Sequence, residues 1–101
     1  MEVIFERELK DLDGNDIPDQ QGKPTTLRNI ATNSIVAMFQ DEKNIGGEEK
    51  LKRWDLALKV KNTSDPVSLT VEELALVKNM VAKAYGTLIV GQAWKMLEEG
   101  K

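Results

Sequence analysis

The clearest local signal in the chain is the segment Leu69-Thr70-Val71-Glu72-Glu73-Leu74. The Thr70 hydroxyl can accept a hydrogen bond from the backbone N–H of Glu73, and the Glu73 carboxylate can accept one from the N–H of Thr70, which is a capping box. Leu69 and Leu74 stand where a hydrophobic staple closes over such a cap. The sequence therefore predicts a helix that begins at Val71.

Apolar residues at helical spacing extend the prediction along the chain in both directions. The helix that begins at Val71 is expected to end at Tyr85, where Gly86 can adopt the left-handed conformation of a C-terminal cap. Thr87 can then cap one more helix. Helices are predicted over residues 26–39, 48–60, 71–85 and 88–98.

The first two predicted helices each carry an apolar stripe, as amphipathic helices do on the side that they bury. In the helix over 26–39, the stripe consists of Leu27, Ile30, Ala31, Ile35 and Met38. In the helix over 48–60, Leu51, Trp54 and Leu58 mark the stripe, which Lys61 continues just beyond the predicted end. Opposite charges four residues apart also favour the second helix, and these pairs are Glu48 with Lys52, Glu49 with Arg53, and Asp55 with Lys59.

An extended segment with a tight turn precedes the first helix. Its apolar residues on one side are Val3, Phe5 and Leu9. The pair Asp13-Gly14 suits a hairpin turn, after which residues 15–17 can run back antiparallel until Pro18 stops them. The predicted fold class is α+β and mostly helical, with a short N-terminal β-hairpin over about residues 2–18 packed on a bundle of about four helices in a single domain, residues 1–101.

Composition excludes several classes of function. The chain has 101 residues with no cysteine and no histidine, which removes disulfides, thiolate metal sites and the commonest general base. Its net charge of −3, from 14 basic and 17 acidic residues, disfavours nucleic-acid binding. No stretch approaches the roughly 20 apolar residues of a membrane span, and Met1 to Lys10 does not resemble a signal peptide. We expect no membrane insertion and no export.

Each motif that could carry chemistry lacks residues that its function requires. A calcium-loop reading of the acidic turn from Asp11 fails, because its sixth position is Asp16 rather than glycine and its twelfth is Gly22 rather than glutamate. Gly46-Gly47 lacks the lysine and hydroxyl of a phosphate-binding loop. The neighbouring glutamates near the helix ends point about 100° apart, which does not suit shared acid-base work. We predict no catalytic, cofactor-binding or metal-binding residues and no cofactor.

Both tryptophans suit packing better than recognition of nucleic acid. Lys50, Lys52 and Arg53 beside Trp54 could form a basic patch with a stacking ring, but nearby acidic residues balance their charge. Burial in the core is favoured over a place at an interface for Trp54 and for Trp94 alike.

The strongest sequence candidate for a binding surface is the apolar C-terminal helix. The density of apolar residues from Leu88 to Leu97 exceeds what one buried helix face needs. We predict a protein-binding surface that consists of Tyr85, Ile89, Trp94 and Met96. It would be excluded by complete burial of five residues, Ile89, Val90, Ala93, Trp94 and Leu97.

Four segments carry a resemblance that covers most of the chain. They are Asp11-Leu12-Asp13-Gly14, Gly22-Lys23-Pro24-Thr25-Thr26-Leu27, Gly47-Glu48-Glu49-Lys50-Leu51-Lys52-Arg53-Trp54, and Val71 through Gly91-Gln92-Ala93-Trp94. In this order they resemble a group of small uncharacterised proteins of tailed bacteriophages and prophages. The resemblance implies a non-enzymatic interaction or virion morphogenesis protein that binds a phage structural protein or a host protein. It also implies the cytoplasm of the bacterial host, or the virion, as its location.

Two alternatives remain open at this point. One is a phage-encoded inhibitor or regulator of a host protein that binds through an acidic face near the hairpin, formed by Glu2, Glu6, Glu8, Asp11, Asp13 and Asp16. The other is a homo-oligomeric virion component, such as a connector or an assembly chaperone.

Overall fold

The computed structural model describes residues 1–42 and 44–99. Over these residues the elements are β1 (Glu2–Val3), α1 (Leu27–Val36), α2 (Gly47–Asn62), β2 (Val67–Ser68), α3 (Val71–Ala84) and α4 (Thr87–Glu99). The predicted class, mostly helical α+β with a short N-terminal β element on a helical bundle, is confirmed.

The capping box at the start of α3 is formed as predicted. The backbone N–H of Glu73 donates to the Thr70 hydroxyl at 3.1 Å, and the N–H of Thr70 donates to the Glu73 carboxylate at 2.9 Å. Leu69 and Leu74 are both buried beside it. The Glu73 carboxylate also accepts a hydrogen bond from Lys59 Nζ at 2.8 Å, so the cap of α3 is tied to the last turn of α2.

The predicted antiparallel return of residues 15–17 after the Asp13-Gly14 turn is present. Lys10 and Asp16 form an antiparallel bridge, and the N–H of Asp11 donates to the carbonyl of Asn15 at 2.9 Å. The first residues of the segment have a distant partner instead, because β1 pairs antiparallel with β2 in the register Glu2 with Ser68 and Val3 with Val67. Farther from the turn, Thr25 lies between Leu9 and Ile17, on the two arms of the predicted hairpin. Its carbonyl accepts from the N–H of Leu9 at 2.9 Å, and its own N–H donates to the carbonyl of Ile17 at 2.8 Å.

Two turns of identical construction follow one another between β1 and α1. They are Asp11-Leu12-Asp13-Gly14-Asn15 and Asp19-Gln20-Gln21-Gly22-Lys23. In each, the carboxylate of the first aspartate accepts hydrogen bonds from the backbone N–H groups two and four residues ahead, at 2.8 to 3.0 Å. Gly14 and Gly22 have φ angles of 84° and 81°, a region that glycine enters without strain. The Asp11 carboxylate therefore holds a turn.

Helix α1 ends at Val36, three residues before the predicted boundary. The Ser34 hydroxyl donates to the carbonyl of Ile30 at 2.7 Å, a contact that weakens and bends helices, and Ala37 then adopts an extended conformation. Met38 was predicted to lie on the buried stripe of this helix. That prediction is wrong, because the side chain follows the helix end and is 95% exposed.

The predicted stripe of α2 is also wrong. The residues that α2 buries are Leu56, Ala57 and Val60. Leu51, Trp54 and Leu58 lie on its solvent side, and Lys61 beside them is exposed as well. Of the predicted charge pairs, Glu49 binds Arg53 at 3.3 Å, whereas Lys59 binds Glu73 instead of Asp55. Helix α2 thus has two apolar faces, of which only one is used by the core.

An ionic contact between Arg28 and Asp65 joins the distant parts of the fold. Arg28 Nη2 donates to Asp65 Oδ1 at 3.0 Å, and its Nε donates to the carbonyl of Val60 at 3.0 Å. The same aspartate accepts from the N–H groups of Phe5 and Glu6, at 2.9 and 2.8 Å. These bonds connect the N-terminal segment, the first turn of α1 and the C-terminal end of α2.

Replacing Asp65 by alanine should lower the free energy of unfolding by about 2–4 kcal/mol, because it removes a charge partner from the largely buried Arg28 guanidinium and leaves two backbone N–H groups without their acceptor. Urea titration followed by circular dichroism would measure this. Asp13→Ala is the matched control, since that side chain is exposed in the first turn and its loss should change stability by less than about 0.5 kcal/mol. Equal effects of the two substitutions would contradict the role given to Asp65.

Candidate interaction surface

An apolar groove lies between the segment that follows α1 and the first half of α2. Its volume is about 460 Å³. The side chains that line it include Val36, Met38, Phe39, Ile45, Arg53 and Trp54. The groove exists because α1 ends at Val36 and the chain then crosses to the start of α2. In this crossing segment Asn44 has a φ of 63°, and Gly46 is the N-cap of α2. Asparagine tolerates this left-handed conformation better than most residues do.

The wall of the groove is fixed by ionic contacts around Glu42. Arg53 binds its carboxylate with two hydrogen bonds of 2.8 Å, and Lys83 of α3 adds a third of 3.1 Å. Only 10% of the Glu42 side chain and 13% of the Arg53 side chain are exposed. Lys83 Nζ also lies 5.5 Å from the centre of the Phe39 ring, a cation–π distance. The crossing segment is thereby held to both α2 and α3.

These contacts lower the pKa of Glu42 from its usual 4.5 to about 2, first through the hydrogen bonds from Arg53 and further through Lys83. Glu42 remains ionised throughout the physiological pH range. The arrangement is a structural anchor, because each charged group in it has an opposite partner at hydrogen-bond distance.

Large apolar side chains extend the groove into a wider exposed surface. We call this surface the Trp54 face and define it as Val36, Met38, Leu51, Trp54 and Leu58. Their exposed fractions are 54%, 95%, 59%, 56% and 38%. Trp54, Val36 and Met38 share the groove, while Leu51 and Leu58 flank Trp54 along α2 at helical spacing. The sequence did place the α2 residues on one stripe, but it could not tell that the stripe faces solvent.

The four residues predicted to bind a partner, at the end of α3 and on α4, all have intermediate exposure. Tyr85, Ile89 and Met96 are partly buried and pack against the core. Trp94 is held on α3, since its Nε1 donates to the carbonyl of Lys78 at 3.1 Å and Lys78 Nζ lies 4.5 Å from its ring centre.

Burial of the C-terminal helix is incomplete. Ala93 and Leu97 are buried, whereas Ile89, Val90 and Trp94 keep intermediate exposure. Complete burial would have excluded a surface here, so partner binding by Tyr85, Ile89, Trp94 and Met96 stays a prediction. The exposed apolar area of the described residues is concentrated elsewhere, on the Trp54 face.

None of the family models, curated proteins or solved structures with which the chain was compared matches it. Within residues 1–42 and 44–99, no helix is long and apolar enough to cross a membrane. The same residues contain no group of three or more acidic, cysteine or histidine side chains placed to hold a metal ion. The proposed function therefore depends on the geometry of the groove and of α2.

Glu42→Gln should change how stability depends on pH. Because the pKa of Glu42 falls from 4.5 to about 2 on folding, its stabilising contribution is fully present above pH 4.5 and is lost as the pH falls towards 2. Urea unfolding of both proteins should therefore show their largest difference at neutral pH and a shrinking difference below pH 4.5. Glu2→Gln, at the exposed position of strand β1, should follow the wild-type profile. A constant difference between wild type and Glu42→Gln down to pH 2 would contradict the anchor.

Proposed function

We propose that this chain is a non-enzymatic protein-binding protein and that its partner is bound at the Trp54 face. The observation that carries the proposal is the exposure of five large apolar side chains around one groove. Contiguous apolar surface of this kind is uncommon on a monomer unless something covers it. Trp, Met and Arg, which all line this groove, are enriched at protein interfaces.

The rigidity of the groove also supports binding. Side chains that must be ordered on association each cost about 0.5–1.5 kcal/mol, and a preformed wall avoids part of that cost. Glu42, Arg53 and Lys83 hold the crossing segment before any partner arrives. Trp54 stands beside that wall with more than half of its side chain open to solvent, as a hot-spot residue of a free interface does.

The biological setting that we propose comes from the resemblance to small proteins of tailed bacteriophages and prophages. One of the segments on which it depends, Gly47 to Trp54, supplies Lys50, Arg53 and Trp54 to the groove. We propose a role in virion morphogenesis, in which the chain binds a phage structural protein or a host protein in the bacterial cytoplasm. The binding surface in this proposal lies on α2 rather than on α4, because α2 exposes three large apolar side chains and α4 exposes one, Leu88.

The alternative of an acidic face that inhibits a host protein has less support. Glu6 is paired with Arg28, and Lys10 is paired with both Asp16 and Glu8. The Asp11 carboxylate is used by its turn. Several of the charges on that face are therefore balanced or occupied within the chain, which weakens the field that would steer a basic partner.

Trp54→Ala should weaken partner binding by at least about tenfold, because truncation of a central interface tryptophan typically costs 2 kcal/mol or more. The partner would be recovered with the tagged protein from infected cells, identified by mass spectrometry, purified, and titrated calorimetrically against each variant. Leu12→Ala is the matched control, since Leu12 is 95% exposed in a turn away from the groove and should bind like the wild type. Thermal melting would confirm that both variants are folded.

The same titration tests the surface predicted from the sequence. If Ile89→Ala and Met96→Ala weaken binding while Trp54→Ala does not, the partner is bound at α4 and the Trp54 face is not the site. Retention of full affinity by all three variants would argue against both surfaces.

A further inference from the structure

We infer that the groove between the crossing segment and α2 binds an acidic peptide segment of the partner, with a large apolar side chain inside the groove and a neighbouring carboxylate paired with Lys50. This inference rests on the proposed function, because it names the chemistry of the partner at the same site. It depends on three observations, which are the charge of the groove lining, the position of Lys50 around α2 and the apolar character of the cavity.

The groove lining is positively charged, although the chain as a whole is acidic with a net charge of −3. Its charged residues are Glu42, Lys50 and Arg53, so two cations stand against one carboxylate. That carboxylate is already bound by Arg53 at 2.8 Å and by Lys83 at 3.1 Å. Among the described lining residues, a basic partner would find no carboxylate left to pair with. An acidic partner is therefore the one that complements the groove.

Lys50 supplies the available cation. It is exposed, and none of the ion pairs within residues 1–42 and 44–99 includes it. Its neighbours on the helix, at positions 46, 47, 53 and 54, are uncharged or basic, so α2 offers it no partner one turn away. Arg53, by contrast, is bound by both Glu42 and Glu49.

The position of Lys50 around α2 sets it on the groove side of the helix. With about 100° between successive residues, Lys50 lies about 60° from Arg53 and about 40° from Trp54, the other two lining residues of α2. The exposed acids Glu48 and Asp55 lie about 160° and 140° from Lys50, beyond Trp54. The acidic side chains that could repel a carboxylate are thus on the far side of the apolar stripe.

The apolar lining determines what stands beside the carboxylate. Met38, Phe39, Ile45 and Trp54 surround a volume of about 460 Å³. This size falls near the lower end of the roughly 300–1,000 Å³ of small-ligand sites, and it suits one or two large side chains better than a whole helix. An apolar side chain in the groove would bring a carboxylate one or two residues away to the rim, where Lys50 can donate to it.

Selection of peptides on the immobilised full chain tests this chemistry. From a library of short random peptides, the wild type should enrich sequences in which aspartate or glutamate stands within two residues of a large apolar residue. The same selection on Lys50→Glu should lose the acidic preference and enrich lysine or arginine instead, because the charge at the rim is reversed. Enrichment by the wild type of apolar peptides without an acidic residue would overturn the inference.

Titration of the strongest acidic peptide measures the contribution of Lys50. Lys50→Met keeps the apolar stem and should weaken binding by about three- to fivefold, and Lys50→Glu should weaken it by about tenfold. Lys61→Glu is the matched control, because it makes the same charge change on the same helix but lies about 16 Å along it, beyond the Debye length. It should bind within about twofold of the wild type.

A variant peptide with an amide in place of the acid completes a double-mutant cycle. Wild type should bind it as weakly as Lys50→Met binds the acidic peptide, and Lys50→Met should bind both peptides equally. Additive effects of the two changes would overturn the pairing. Dodecanoate is a second probe with an apolar chain and a carboxylate. If it binds more tightly than every selected peptide and depends on Lys50, the groove is a site for a small amphiphile and the inference is wrong.

The partner recovered from infected cells separates this inference from the proposed function. Both are supported if Trp54→Ala and Lys50→Glu each weaken its binding while Lys61→Glu does not. If Trp54→Ala weakens binding and Lys50→Glu has no effect, the proposed function stands and the acidic segment is wrong. Thermal melting of each variant would confirm that the fold is retained.

Discussion

The contact between Arg28 and Asp65 is the constraint on which the remainder of this structure depends. Both side chains are largely removed from water, at 18% and 17% exposure, so each needs a partner for its charge and for its remaining hydrogen-bonding groups. The backbone supplies those partners from three places, namely the N–H groups of residues 5 and 6, the carbonyl of Val60 and the carbonyl of Thr63. This arrangement sets the N-terminal segment next to residue 65, and β2 begins two residues later. The pairing of β1 with β2, rather than with a local return strand, follows from that placement.

The same contact helps to decide which way α2 faces. Arg28 holds the end of α2 through Val60, and Arg53 holds its first half through Glu42. Arg28 reaches the end of α2 from α1, and Arg53 is a largely buried residue of α2 itself, on the side of the helix where Leu56 and Ala57 are buried. The opposite side of the helix is left with Leu51, Trp54 and Leu58, on a backbone that is fixed at both ends. A rigid helix with an uncovered apolar side is what a recognition surface requires, because little order has to be gained on binding.

Local chemistry was sufficient to predict much of the fold from the sequence. The cap at Thr70 uses groups three residues apart, and the turn at Asp13-Gly14 needs only the freedom of glycine and one aspartate, so neither depends on the rest of the chain. The buried side of α2 could not be predicted in this way. Leu51, Trp54 and Leu58 satisfy the period of a helix as well as Leu56, Ala57 and Val60 do, and the choice between them is made by partners 11 and 32 residues away. Apolar density in α4 is ambiguous for the same reason, since it does not reveal which side chains the core covers.

Charges interleaved with the stripe explain how a helix with two apolar faces can remain selective. Glu48, Lys50, Lys52 and Asp55 are exposed around Leu51 and Trp54, so any partner must either pair with them or bury them without compensation. Burial of an unpaired charge costs more free energy than a few apolar contacts contribute. A purely apolar partner would therefore bind this side of α2 weakly. A surface with opposite charges at matching positions is accepted, and the apolar side chains then provide the affinity. In the proposed function, specificity on α2 would therefore come from its charged residues, and the strength of binding from Trp54 and its apolar neighbours.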